Sequence, residues 1–270
     1  MAQPLDPKEV VPTANDEFYE KVERAFRELF DAARAKHELH FAMALMPEMR
    51  GMQDPGWNTA DETHHAFDDY QEFIEKQEQG RMRYRVVLAF YCHLAEASGF
   101  YEVPKNMLRI AGDQGYVSWP FMDLVQAHKQ TGDRIAPNAN KVLKDLAGHA
   151  KTLGFDELAE VFRDAFDPDI RNGYAHADYV IWHDGLRLPK RNGGYPKRVP
   201  WEEFNTIIDR GVNFFHILRQ LVSEYIHSYN PPKTIKARLQ NEPEMDWTIY
   251  YNPNTGAFGI TSGKYVQNGT

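Results

Sequence analysis

The segment DPDIRNGYAHADY, residues 167–179, concentrates side chains that could act together on one ligand. Asp167 and Pro168 are typical of a helix N-cap and first helical residue, so the segment predicts one helix of about three turns. On such a helix Asn172 and His176 are four residues apart and share a face. Arg171 lies about 140° around the helix from His176, but its long side chain can reach along the helix end.

These residue types suit a phosphate. An imidazole can transfer protons near neutral pH, and a guanidinium can hold a phosphate through two hydrogen bonds and stabilise its growing charge. Gly173 has no side chain, which would let a ligand or a second helix approach closely. The alternative is structural: Arg171 pairs with Asp167 or Asp169, and His176 only caps or packs.

The heptapeptide IRNGYAH, residues 170–176, is an Arg-x4-His motif with Asn directly after the Arg, and it resembles the signature of HEPN (higher eukaryotes and prokaryotes nucleotide-binding) domains. That resemblance implies a compact helical bundle of the kind found in bacterial toxin, anti-phage defence and RNA-processing systems. It also implies a metal-independent endoribonuclease without a cofactor, with Arg171, Asn172 and His176 as catalytic residues. Such domains dimerise through the motif helix, and a toxin would have an antitoxin or other regulatory partner.

A basic stretch follows the motif. Residues 185–198, GLRLPKRNGGYPKR, contain five Lys and Arg residues and no acid, although the whole chain has a formal charge of -8. The acidity is local, because residues 1–80 hold 8 Lys and Arg against 18 Asp and Glu. The stretch predicts an RNA-binding surface, since basic patches drive phosphate binding; the alternative is a solvated hairpin edge protected by charge. The residues predicted to bind RNA are Lys190, Arg191, Lys197 and Arg198.

Other functional classes find less support. No P-loop, dinucleotide-binding glycine motif, nucleophile elbow or H-E-x-x-H motif is present. Two Glu-x-x-His pairs, Glu62/His65 and Glu224/His227, leave a di-iron helical bundle as a second alternative, although chance predicts about one such pair. The lone Cys92 excludes a disulfide framework, and no apolar run is long enough for a membrane helix. We therefore expect a cytoplasmic protein without a secretory signal.

The hydrophobic periodicity predicts a mostly α protein. It divides into an acidic helical region (1–80), a HEPN-like bundle with a hairpin at 178–198 (81–230), and a small β tail (231–270). The first helix begins at a Thr13/Asp16 capping box and runs towards Pro47, and the second follows a Thr59/Glu62 pair. Further helices are predicted at 82–98, 104–112, 120–130, 138–153 and 156–166, with a long one after Pro200. Hairpins are predicted around Asp184-Gly185 and within WTIYYNPNTGAFGIT.

The sequence thus favours a HEPN-type endoribonuclease that cleaves single-stranded RNA by 2′-OH attack. In this hypothesis His176 is the acid/base and Arg171 stabilises the phosphate. The alternative from the same resemblance is a non-catalytic module that binds a nucleotide or a protein.

Overall fold

The computed structural model describes residues 14–46, 59–76, 80–190, 193–239 and 243–262. It is mostly helical, with small antiparallel sheets, as the sequence predicts. The helices are α1 (Ala14–Lys36), α2 (Glu38–Ala44), α3 (Thr59–Lys76), α4 (Arg81–Glu96), α5 (Ser98–Ala111), α6 (Ala139–Thr152), α7 (Asp156–Asp164), α8 (Pro168–Ala175) and α9 (Trp201–His227). The strands are β1 (Gln126–Ala127), β2 (Arg134–Ile135), β3 (Val180–Trp182), β4 (Gly185–Leu188), β5 (Lys197–Val199), β6 (Lys233–Ala237), β7 (Met245–Tyr251) and β8 (Phe258–Ser262).

Helix α1 lies in the main hydrophobic core. Its apolar stripe packs against α5, α7 and α9. Phe26, fully buried, meets Phe162 of α7 and Phe214 of α9 at ring-centroid distances of 5.6 and 5.8 Å. Residues on both sides of the boundary predicted at residue 80 thus contribute to one hydrophobic core. The acidic residues of α1 lie on its solvent side and its other face is apolar.

The predicted first helix is in fact two helices. The chain is extended at His37, with φ of -156°, between α1 and α2. The Nδ1 atom of His37 accepts a hydrogen bond from the backbone N–H of His40 at 3.3 Å, so His37 starts α2 as an N-cap. The predicted cap at Thr13 and the predicted end at Pro47 lie outside the described residues.

Two of the short predicted helices differ in the structure. Helix α5 begins at Ser98 rather than 104 and continues through Pro104, where burial of its apolar face offsets the lost backbone hydrogen bond. The predicted helix at 120–130 is wrong. It is replaced by a single 3-10 turn, Met122–Leu124, and the paired strands β1 and β2, whose connection includes Gly132 at φ of 75°.

The hairpin after the motif helix forms as predicted but with its turn one residue earlier. Trp182 pairs with Gly185, so His183 and Asp184 are the turn residues. A third strand, β5, pairs with β4, giving a three-stranded antiparallel sheet. Gly185 is required there, because a Cβ atom would lie 2.2 Å from the carbonyl oxygen of Val199.

The C-terminal hairpin is confirmed and extended by one strand. Strands β7 and β8 pair antiparallel, and β6 adds to the other side of β7. Ile249 of β7 is fully buried in the main core, so this sheet packs against the helices. None of the helices in the described ranges combines the length and apolarity that crossing a membrane requires.

Candidate functional site

Helix α8 begins as the sequence predicts but is shorter. Asp167 is its N-cap, and the Oδ1 atom accepts hydrogen bonds from the backbone N–H groups of Asp169 (2.8 Å) and Ile170 (3.0 Å). The helix has 8 residues and ends before the C-cap His176. The backbone N–H of Asp167 donates to the Tyr91 hydroxyl at 2.6 Å, which ties the start of the helix to α4.

The guanidinium of Arg171 is already engaged within the chain. It forms an ion pair with Glu96 of α4 and donates from Nη1 to Oδ1 of Asn172 at 2.7 Å. Its side chain is only 13% exposed. The expected structural alternative, a pair with Asp167 or Asp169, is wrong in its partner, because lysines from the hairpin region occupy those two carboxylates.

Those lysines belong to the predicted RNA-binding set. Lys197 contacts Asp167 at 2.8 Å, and Lys190 contacts Asp169 at 2.9 Å. Asp167 is the N-cap of α8 and Asp169 lies in its first turn, so this helix start supplies the acids that the stretch 185–198 lacks. Although burial opposes it, the hydrogen bond to Asp167 raises the pKa of Lys197.

Arg198 is the third described member of the predicted set. It shares the carboxylate of Asp184 with Arg187, at 3.3 and 3.1 Å. The hydrogen bond from Arg187 holds the pKa of Asp184 below its usual value. Arg191 lies outside the described residues.

A cavity of about 350 Å³ opens beside the C-terminal half of α8. Asn172 and His176 lie together in its wall, as their four-residue spacing predicts. His176 is exposed, and its imidazole makes no hydrogen bond to any residue that the structure describes. The cavity is lined by Asp169, Asn172, Gly173, His176, Asp178, Leu188 and Lys190, a set that does not include Arg171.

Gly173 has an intramolecular function. It is buried, and a Cβ atom on it would lie 2.6 Å from Cδ2 of Leu188 in β4. The glycine therefore lets the sheet pack against α8. The expectation that Gly173 admits a second helix is corrected: the space beside it is occupied by the chain's own hairpin.

The Glu-x-x-His pairs do not form a ligand set. Glu224 is ion-paired with Arg27 at 2.7 Å, and the ring of His227 packs on Tyr251 at a centroid distance of 4.4 Å. Within the described ranges no group of three or more His, Cys, Asp and Glu side chains is arranged to hold a metal ion. The di-iron alternative therefore has no geometric support in this part of the chain.

Comparison of the chain with protein-family models, curated proteins and solved structures gives no match. The site is thus defined by its motif and its geometry. Sequence reasoning missed Glu96, which lies far from Arg171 along the chain and has no local pattern that marks it as a partner. It also missed Asp178 and the part that Asp169 plays in the cavity wall.

Proposed function

We propose that this chain is a metal-independent endoribonuclease of the HEPN type that cleaves single-stranded RNA at the cavity beside α8. The observation that supports the proposal is the shared cavity wall of Asn172 and His176, with the ammonium-bearing Lys190 also lining the cavity. The cavity volume of about 350 Å³ falls in the range of small-ligand sites. A site for RNA inside a cell also accords with the cytoplasmic location expected from the sequence.

In the proposed reaction the imidazole of His176 takes the proton of a ribose 2′-OH. The 2′ oxygen then attacks the neighbouring phosphorus, and the bond from phosphorus to the 5′ oxygen breaks. A proton delivered to that 5′ oxygen completes the reaction, leaving a 2′,3′-cyclic phosphate and a 5′-OH end. One imidazole fills one of the two proton-transfer roles, so we propose that a second copy of the chain provides the other in a homodimer.

The positions of the cations refine their proposed roles. Arg171 holds Oδ1 of Asn172 and is itself held by Glu96, so we assign it to positioning Asn172 in the cavity wall. Lys190 lines the cavity and is paired with the partly exposed Asp169, so it is the cation best placed to contact a phosphate there.

The test is incubation of the purified protein with single-stranded RNA in the presence of EDTA. We expect cleavage with 2′,3′-cyclic phosphate ends, and His176→Ala should lower the rate by roughly 10² to 10⁴ while leaving the circular dichroism spectrum unchanged. The matched control is His65→Ala, which removes an exposed histidine of α3 that does not line the cavity. Cleavage at the wild-type rate by His176→Ala would contradict the proposal.

A non-catalytic module that binds a nucleotide or a protein is the second candidate. The observation that favours it is the ion pair between Arg171 and Glu96, which occupies a cation that the resemblance assigns to catalysis. The two candidates differ in one result: RNA that binds at the cavity and is recovered intact supports the module.

A further inference from the structure

The sheet β3–β4–β5 has a polar and aromatic face turned towards solvent. Val180 and Trp182 are alternate residues of β3 and therefore share a face. They are 44% and 43% exposed, so this side of the strand faces solvent. Val180 pairs across the sheet with Arg187, and Arg187 pairs with Arg198, so one row of exposed side chains crosses all three strands. We call the set Val180, Trp182, Arg187 and Arg198 the Trp182 face.

The opposite face of the sheet is the buried one. Ile181, Leu186 and Val199 form the neighbouring row in the strand register, and Leu186 and Val199 are fully buried. Burial of that row is sufficient to anchor the sheet on the helices. The exposed indole of Trp182 is therefore not needed for the core.

The charges of the Trp182 face favour an anionic and aromatic partner. The guanidinium carbon of Arg187 lies 5.3 Å from the centre of the Trp182 ring. Arg187 and Arg198 share the single carboxylate of Asp184, so two positive charges face one negative charge. Both hydrogen bonds from Arg187 to that carboxylate come from Nη2. A flat aromatic ring beside surplus guanidinium charge is the combination that binds single-stranded nucleic acid, where bases stack and phosphates need cations.

The Trp182 face and the cavity lie on opposite sides of the sheet, because the cavity-lining Leu188 and the exposed Arg187 are neighbours on β4. Asp178 lines the cavity and lies four residues before Trp182, and a strand rises about 3.3 Å per residue. The Cα atoms of the two residues are therefore at most about 14 Å apart. RNA that leaves the cavity can reach the indole by passing round β3, which is an edge strand of the sheet.

We propose that the Trp182 face binds the single-stranded RNA that flanks the cleaved phosphate, with one base stacked on Trp182 and the backbone held by Arg187 and Arg198. The substrate class rests on the proposed function, but the binding can be measured without cleavage. The probe is a short fluorescein-labelled single-stranded RNA with 2′-O-methyl riboses, which have no 2′-OH to attack phosphorus.

Fluorescence anisotropy of the full chain with this probe tests the stacking. Trp182→Ala should raise the Kd about 5- to 150-fold, whereas Trp182→Phe, which keeps a ring, should restore most of the affinity. Arg187→Gln combined with Arg198→Gln should lower the salt slope of binding by roughly 0.7 for each phosphate that the protein no longer neutralises. The matched control is Trp119→Ala, which removes a 51% exposed indole outside this sheet and should leave the Kd unchanged.

The outcomes separate this inference from the proposed function. Affinity that depends on the ring at 182 supports the inference even if unmodified RNA is never cut, in which case only the catalytic proposal fails. An unchanged Kd for Trp182→Ala, or no binding of the probe by the wild type, overturns it. It is also overturned if Trp182→Ala changes only the mass measured by light scattering, because the face is then a protein interface.

Discussion

The guanidinium of Arg171, on α8, is ion-paired with the carboxylate of Glu96, the last residue of α4. The Oε2 atom of Glu96 accepts the backbone N–H of Ala139 at 3.1 Å, at the first residue of α6. One carboxylate thus joins three helices next to the candidate site. The motif arginine is consequently part of the scaffold that fixes where α8 lies.

Removing that carboxylate should destabilise the fold. Glu96→Ala leaves the largely buried Arg171 charge and the Ala139 N–H without this partner, so we expect a loss of about 2 kcal/mol in the free energy of unfolding. That figure lies below the range for a fully buried pair, because the Glu96 side chain is 39% exposed. Glu96→Gln keeps an oxygen acceptor, so its free energy of unfolding should fall by less than that of Glu96→Ala. Urea denaturation measures both, and equal stability of Glu96→Ala and wild type would show that the pair is not needed.

The end of α8 predicts a stabilising substitution. Ala177 has φ of 53°, and the N–H groups of Ala177 and Asp178 bond back to the carbonyls of Tyr174 and Gly173 in the pattern of a Schellman motif. The position favours glycine, so Ala177→Gly should stabilise the protein by about 1 kcal/mol.

The same motif at the end of α6 supplies the control. There Gly154 has φ of 85° and Phe155 bonds back to Ala150 at 2.9 Å. A Cβ atom on Gly154 would meet nothing within 4 Å, so Gly154→Ala tests the backbone conformation alone. We expect it to lose about 1 kcal/mol in thermal or urea unfolding. Changes of the same sign in the two variants would refute this explanation.

Local sequence patterns predict the positions of the helices and strands better than they predict the contacts between them. The N-cap at Asp167, the start of α9 after Pro200 and the hairpin after α8 all depend on neighbouring residues, which the sequence displays directly. The break at His37 was missed because the apolar periodicity continues across it, and only the packing of α2 distinguishes two helices from one.

The sequence predicts only the part of the candidate site that depends on neighbouring residues. The shared cavity wall of Asn172 and His176 follows from a four-residue spacing on one helix. The ion pairs of Arg171 with Glu96 and of Lys197 with Asp167 join residues on different elements, and no local pattern specifies them. A charge count over 185–198 therefore overstated how much positive charge is left for RNA.

Asp169 should weaken RNA binding in the cavity. Its carboxylate lines the cavity and is ion-paired with Lys190 at 2.9 Å. Asp169→Asn removes a negative charge and releases the ammonium group, so we expect tighter binding of single-stranded RNA and a steeper salt dependence. Lys190→Gln should have the opposite effect on both quantities. Measurements of Kd over a range of salt concentrations test the pair, and an unchanged Kd in both variants would exclude phosphate binding by Lys190.

The stability of the fold should fall as the pH falls below neutrality. Burial, together with the smaller effect of the nearby His37 charge, lowers the pKa of His40 to about 4. The unfolded chain titrates near the ordinary value of about 6.5, so between these values it binds more protons than the folded chain. Neutral His40 thus makes its full contribution to the free energy of unfolding above about pH 6.5, and this contribution is lost as the pH falls towards 4.

Urea midpoints at about pH 7 and about pH 5 measure this dependence. His40→Gln removes this titrating group and should reduce the difference between the two midpoints. Burial also lowers the pKa of His64, His93, His149 and His216, which account for the rest. His183→Gln, at an exposed turn residue, should leave the wild-type difference in place. If His40→Gln keeps the full difference, the acid sensitivity arises elsewhere in the protein.

The proposed homodimer predicts a molecular mass in solution and a surface position where a bulky side chain should prevent dimerisation. One chain places one imidazole at the cavity, whereas the proposed reaction needs a base and an acid on opposite sides of phosphorus. Light scattering should therefore give about twice the monomer mass of 31.3 kDa. Since Gly173 is covered by Leu188, the exposed residue of α8 that would meet a second copy is Ala175, on the same face as Asn172.

Ala175→Trp should separate the two copies and abolish cleavage, because the bulky ring obstructs a close two-fold contact there. Lys144→Trp, which places the same ring on an exposed position of α6, should leave mass and activity unchanged. A variant Ala175→Trp that remains dimeric and active places the interface elsewhere. A wild-type protein that cuts RNA as a monomer shows that His176 works with another group of its own chain, and Asp178, which lines the same cavity, is then the first residue to substitute.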